Sequence, residues 1–156
     1  MDGGSTDGSV EIIRKYERWL SHVHTGADDG QSAAIGEGFR RTSGEILAWL
    51  NSDDYYLPGA LRRGAQFLTQ RPRVVFVNGD ANLVDVDGRI IWRWYAIRPC
   101  RFFAANLGLQ DWPQQACFWR SWAYEQTGGM DPSLRYCMDI DLFIRLMGVG
   151  PSGRFP

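Results

Sequence analysis

Residues 45–61 read EILAWLNSDDYYLPGAL, and the fold turns on how this stretch is understood. Its apolar run, Ile46 to Leu50, is too short for a buried helix and too apolar for a sheet edge, so it reads as an interior strand of the parallel type. The run empties into Asp53 and Asp54, two carboxylates that repel each other. A cation or water must take up that charge. Pro58 then starts a helix with Leu61, Ala65 and Leu68 on one face.

The same grammar repeats outward. RVVFVNGD (73–80) is a second apolar run ending in an acid, and NLVDVDGRIIWRW (82–94) places Asp87–Gly88 between two strand-like runs, the pattern of a tight hairpin. Upstream, Asp7 and Gly8 cap a helix over about 8–20, with Val10, Ile13, Tyr16 and Leu20 recurring at helical spacing. His22 to His24 form a short strand candidate, TGADDG (25–30) a polar turn, and QSAAIGEGFRRTSG (31–44) a helix closed by Gly44. Alternating strands and helices imply an α/β sheet, mostly parallel, flanked by helices and carrying a small antiparallel addition. The chain opens on a turn, MDGGSTDGS, with no strand or helix before it. PSGRFP (151–156) reads as an unpacked tail or as the place where a longer chain continues.

With 156 residues, 44% of them hydrophobic, the chain fits one domain with a real core. A net charge of -1 leaves no basic stripe for a nucleic-acid polymer. Cys100, Cys117 and Cys137 are odd in number and widely spaced, which fits reduced thiols in a cytoplasmic protein. No apolar stretch approaches the roughly 18 residues of a membrane span. Aromatic residues concentrate between Trp92 and Tyr124, either as core or as a face for a ligand or a membrane.

In an open α/β sheet, ligands bind beyond the carboxyl ends of the strands. Asp28 and Asp29, Asp53 and Asp54, and Asp80 all follow strand candidates, so these acids are expected to converge on one crevice around a divalent cation. Mg²⁺ or Mn²⁺ takes one or two protein carboxylates and fills its remaining positions with water and phosphate oxygens. No phosphate-cradling glycine loop is present, which favours a metal bridge to a nucleotide diphosphate. A solvated capping turn accounts equally well for Asp28 and Asp29. The apolar strand ahead of Asp53 and Asp54 favours function there.

Taken in order, DGGSTDGS, DDGQSAAIGEGF, GEILAWLNSDDYYLPGAL, VNGDANLVD, QQACFWR and TGGMDPSLRYCMDIDLFIRL resemble the family 2 glycosyltransferases of the GT-A fold across nearly the whole chain. The resemblance implies transfer of a sugar from a nucleotide-diphosphate sugar donor to a carbohydrate or lipid-linked acceptor hydroxyl, with inversion and metal assistance. It maps the family's acidic motif onto Asn51-Ser52-Asp53-Asp54, with Asp53 and Asp54 on the metal and Asn51 where the first acid usually stands. Asp2 matches an acid that seats the nucleoside, and Gly3 replaces a second acid often found beside it. Asp28 and Asp29 match a segment near the nucleotide, and Asp80 one on the donor-sugar side. Asp139 matches the second acid of the pair that opens a late helix, with Met138 in place of the first; it is the candidate general base. Trp112, Gln114 and Gln115 match the region facing the acceptor and donor sugar. Asp141 is read as packing or capping, paired with Arg145 one turn on.

The resemblance also implies a leading strand, loop and helix of roughly 35 residues that this chain lacks, making residues 1–156 a single incomplete GT-A-like domain. A non-catalytic module that binds nucleotide sugar weakly, or assembles with a partner chain, is therefore the alternative. A cytoplasmic location, peripheral at the inner face of the membrane, and an oligomeric state are both compatible with the family.

Overall fold

The structure is a computed structural model and describes residues 1–108 and 111–155. The chain forms two compact units: Met1–Ser43 with Gly129–Met138, and Gly44–Gly128 with Asp139–Pro156.

The first unit carries α1 (Ser9–Tyr16), which runs on as a 3-10 turn over Glu17–Trp19, and α2 (Gln31–Arg40). The helix expected over 8–20 thus exists, its start held by Asp7, whose carboxylate accepts the Ser9 amide at 3.2 Å and the Ser9 hydroxyl at 2.7 Å. The strand expected at His22–His24 does not form. Asp2 makes an isolated parallel bridge with Thr25, built from Asp2 N–H to His24 O (2.8 Å) and Gly26 N–H to Asp2 O (3.1 Å). With one bridging residue on each side there is no ladder to propagate.

The second unit holds a four-stranded sheet in the order β1 (Ile46–Leu47), β5 (Cys117–Arg120), β2 (Phe76–Asn78), β6 (Ser152–Arg154). β5 is antiparallel to both β1 and β2, while β6 is parallel to β2. Three strands therefore run one way, as a mostly parallel reading requires, but β5 sits between two of them and makes the sheet mixed. The expectation of an interior β1 needs correction: among the described residues β1 lies at the sheet's edge, paired on one side only.

Registry explains the core. Phe76 opposes Trp119 and Val77 opposes Phe118, so alternate side chains leave opposite faces of the sheet. On one face Phe76 and Trp119 meet Phe143 of α6 (Met138–Val149), with ring centroids 4.8 and 5.9 Å apart. On the other, Val77 and Phe118 pack with Phe155 and with Leu68 of α3 (Ala60–Thr69). A Cβ at Gly64 would come within 2.7 Å of the Phe118 ring, so glycine is what lets α3 lie this close. α3 buries Gly64 and Leu68 and leaves Leu61 exposed.

The segment read as an unpacked tail is a strand. Ser152–Arg154 pairs with β2, and Phe155 is buried. A β6 reading SGR has no apolar pattern of its own, so its place is set by β2 and by Gly153, where any Cβ would meet the Phe67 ring at 2.8 Å.

β3 (Ala81–Val84) and β4 (Ile90–Trp94) form the expected hairpin, with a register shift at Leu83/Val84. Gly88 takes φ 78°, and the Asp85 carboxylate accepts the amides of Asp87 (3.0 Å) and Arg89 (2.8 Å). α4 (Arg101–Leu107) and α5 (Ser121–Gln126) complete the unit.

Candidate functional site

β1 and β2 run in the same direction, so their carboxyl ends lie at one edge of the second unit's sheet, where antiparallel β5 begins. The loops 49–54 and 79–80 and the segment 111–116 consequently meet there. They border a cavity of about 1030 Å³ lined by Asp53, Asp54, Asp80, Asp111 and Gln115, together with side chains of the β3–β4 hairpin.

The loop after β1 is held from β5's side. Gln114 accepts the Asn51 side-chain amide at 3.1 Å and donates to the Trp49 carbonyl at 2.9 Å, while the Asp54 amide closes a turn on Asn51 O at 3.2 Å. Gln114, matched by family likeness to a sugar-facing position, thus has both ends of its amide engaged in fixing the acidic loop. Within that loop Asp54 is partly buried, and its pKa lies above the ordinary 3.8. Burial is the main cause, the charge of Asp53 adds to it, and the Asn51 amide only partly offsets them. A carboxylate partly removed from water beside a like charge is pushed up in this way.

Asp80 lines the same cavity, but its carboxylate is paired. Both of its oxygens take the Arg154 guanidinium, at 2.6 and 2.7 Å, and one also accepts the Ala96 amide at 3.0 Å. Its charge is answered within the protein, and the contacts tie the strand end after β2 to β6 and to the chain leaving β4. Asp111, unforeseen in the sequence, lines the cavity and accepts the Trp94 indole N–H. Its only signal was an acid directly ahead of the WPQQ stretch.

Trp112 requires correction. Its ring is only 7% exposed and packs edge-on against Phe76 and Phe143 at 6.2 and 6.4 Å, so it belongs to the core and offers no face to a sugar. Gln115 remains on the cavity wall.

Asp139 is half-buried near the start of α6. It does not line the cavity, yet its charge reaches Cys117, whose thiol is pushed well up, first by full burial and then by Asp139. The Tyr56 hydroxyl is raised by burial, then by Cys117 and Asp54. Asp54, Tyr56, Cys117 and Asp139 therefore share one electrostatic neighbourhood at the head of β5. Asp141 pairs with Arg145 at 2.5 and 2.9 Å, and Arg145 also donates to the Thr127 carbonyl at 3.1 Å.

In the first unit Asp2 is buried and satisfied locally. Its carboxylate accepts the Ser5 hydroxyl at 2.5 Å and the amides of Gly4 and Ser5 at 3.1 and 3.2 Å. The Ser5 hydroxyl leads the causes that hold its pKa below 3.8. Asp28 accepts the Gly30 amide at 2.8 Å and stands so close that a Cβ on Gly3 would meet its Oδ2 at 2.8 Å. Asp28 is exposed, so a side chain at position 3 would need only that carboxylate to swing aside. The Asp29 carbonyl accepts the Arg135 guanidinium at 2.8 Å.

Among the described residues no group of three or more His, Cys, Asp or Glu could by itself hold a metal ion, so the second unit offers a cation at most its adjacent acid pair. Two carboxylates with uncompensated charge suit a hard divalent ion that completes its shell with water and phosphate. The three cysteines are free thiols, and no helix among the described residues is long and apolar enough to cross a membrane.

An α/β sheet with acids at its carboxyl edge is the architecture of the GT-A type, and comparison with known proteins agrees. The glycosyl transferase family 2 profile matches residues 1–122, and the chain belongs to that family. It is 29% identical over 94 residues to an uncharacterised glycosyltransferase of Haemophilus influenzae, a match covering 58% of this chain and 37% of that protein. Among solved structures, S. aureus TarS 1–349 in complex with UDP superposes with a TM-score of 0.71 at 16% identity, covering 98% of this chain and 46% of that one. The Pyrobaculum calidifontis mannosyltransferase PcManGT, in complex with GDP-Man and Mn²⁺, gives 0.69 at 17% identity, covering 99% and 44%. The chain thus spans less than half the length of the relatives it matches.

Proposed function

We propose that this chain carries the donor-binding and catalytic acids of an inverting sugar transferase that uses a nucleotide-diphosphate sugar and a divalent cation. The observation that carries the reading is the Asp53–Asp54 pair: adjacent acids at a strand's carboxyl end, facing a large cavity, with the Asp54 pKa raised and no arginine or lysine answering either charge among the ion pairs of the described residues. Asp53 and Asp54 hold Mg²⁺ or Mn²⁺, which when bound neutralises the charge that builds on the leaving diphosphate. Asn51, fixed by Gln114, orients the acid pair.

Asp139 is the general base. As the acceptor oxygen bonds to the anomeric carbon, the bond from that carbon to the diphosphate breaks on the opposite face, and the hydroxyl proton passes to the Asp139 carboxylate. It stands half-buried near the opening of α6, where the helix N-terminus favours a negative group.

Isothermal titration with UDP and GDP, with and without Mn²⁺, tests the reading. Nucleotide heat that requires Mn²⁺ and disappears in Asp53→Asn/Asp54→Asn is expected. If no metal-dependent heat develops at millimolar nucleotide, the assignment of the acid pair is wrong. A module that binds without transferring would give the heat but release no nucleoside diphosphate from a donor sugar.

A further inference from the structure

We propose that the second unit has a second ligand site, separate from the acidic cavity, where the guanidinium groups of Arg98 and Arg101 take a small phosphorylated anion. The proposal does not depend on the transferase reading.

A cavity of about 460 Å³ is lined by residues 98–101, where the chain leaving β4 enters α4, and by Met147 with residues 150–152, where α6 ends and β6 begins. It shares no lining residue with the larger cavity. The two differ in charge. Four aspartates and Arg93 line the larger one, whereas Arg98 and Arg101 are the charged side chains here and no acid stands beside them. Neither guanidinium belongs to an ion pair of the described residues.

The walls are braced. The Ser152 hydroxyl donates to the Pro99 carbonyl at 2.7 Å, tying the arginine-bearing segment to β6. A Cβ at Gly148 would lie 3.4 Å from the Arg101 Nε and 3.5 Å from its Cζ, so this guanidinium rests against bare backbone in the last turn of α6. The partial negative charge of a helix C-terminus favours a cation there, which accounts for Arg101. It does not account for Arg98, whose contact with the Ser152 carbonyl, at 3.5 Å, is at the outer limit of a hydrogen bond. Two like charges lining one cavity repel, and an anion accepting from both removes that cost. A guanidinium presents its N–H groups as a flat fork that matches phosphate oxygens in pairs. A phosphate monoester brings about two negative charges at neutral pH, enough to meet both arginines, where a carboxylate brings one. The volume lies within the roughly 300–1,000 Å³ of small-molecule sites.

Cys100, a half-buried free thiol on the cavity wall, serves as reporter. Cys137→Ser leaves it with the buried Cys117, and its reaction with neutral 4,4′-dithiodipyridine is followed in EDTA. The thiol proton goes to water, the thiolate bonds to one reagent sulfur, and the released 4-thiopyridone is read by absorbance. Pyrophosphate is expected to slow this reaction saturably, by about five-fold or more, because it blocks access to the thiol. Sodium chloride of equal ionic strength should not. Arg98→Gln/Arg101→Gln should weaken the protection by about ten-fold or more, the scale of lost hydrogen bonds to charged groups. Arg98→Gln alone, at an exposed position, should weaken it several-fold and serves if the double variant fails to fold. Asp53→Asn/Asp54→Asn should keep it in full. Labelling indifferent to millimolar pyrophosphate overturns the proposal, as does protection that survives in the arginine variants or vanishes in the aspartate variant. A lowered melting temperature with unchanged protection also overturns it, since the arginines would then serve only the end of α6. Protection by soluble glycerol 3-phosphate identifies a free phosphorylated compound as the ligand. Co-sedimentation with phosphatidylglycerol vesicles without protection by any soluble phosphate would make this a membrane contact and overturn the proposal.

Discussion

Two acidic turns of the second unit, after β1 and after β2, lie at the same edge of the same sheet and line the same cavity, yet their carboxylates have different neighbours. At Asp54 partial burial, and then the neighbouring acid, raise the pKa. At Asp80 the Arg154 guanidinium and the Ala96 amide have taken the charge. A carboxylate following an apolar run reads identically in sequence whether it waits for a ligand or braces the fold. The nearest cation decides between these roles, and here that cation comes from β6, 74 residues further along.

The contrast can be broken most severely at the proposed chemistry. Asp139→Asn is expected to lower turnover about 100- to 10,000-fold while leaving nucleotide affinity nearly unchanged, read from nucleoside diphosphate release alongside titration. A parallel loss of nucleotide affinity would remove Asp139 from the base role. Next in size, Asp53→Asn/Asp54→Asn should weaken Mn²⁺-dependent nucleotide binding by about 100-fold or more, the scale on which metal sites lose affinity when their supporting groups go. Asp80→Ala should leave that binding within a few-fold and instead lower the melting temperature by about 2–6 °C, as lost charge-assisted hydrogen bonds do in a chain of this size. If Asp80→Ala removed the metal-dependent heat while the fold stayed firm, the two turns would not differ as described.

Gln114→Ala sharpens the comparison from the side. Losing the clamp on Asn51 and Trp49 should cost nucleotide affinity roughly ten-fold, as expected when a supporting partner is removed. The smallest effect concerns pH. Because folding raises the Asp54 pKa, its favourable contribution is complete only below the ordinary 3.8 and is lost as pH rises through the folded value, so at neutral pH the ionised group costs stability. Asp54→Asn should therefore melt about 1 °C higher than the parent at pH 7 without metal, an advantage that disappears at pH 3. Added Mn²⁺ should reverse the order by stabilising only the parent.

Much of this was legible in one dimension wherever the determinant is local. The hairpin at Asp87–Gly88 follows from a turn whose dihedral angles favour glycine, and α1 from its apolar spacing, with Gly8 at the N-cap and Asp7 just ahead of it accepting the Ser9 amide. Phe76 to Asn78 are apolar enough to read as a buried strand and form one. Three readings failed where the determinant is distant. Trp112 looked like a sugar platform but fills a core assembled from Phe76 and Phe143. The SGR strand has no pattern of its own and exists because β2 offers an edge. His22–His24 had strand composition but only one residue to pair with.

The sequence by itself determined the α/β class, the family and the acids at the ends of apolar runs, because backbone preference, apolar periodicity and motif order are all written in neighbouring residues. Which acid keeps an unanswered charge, which aromatic turns inward and which amide grips the acidic loop were decided only by tertiary structure. Each of those outcomes depends on a partner dozens of residues away, and at contact range the Coulomb and packing terms are large while sequence distance counts for nothing.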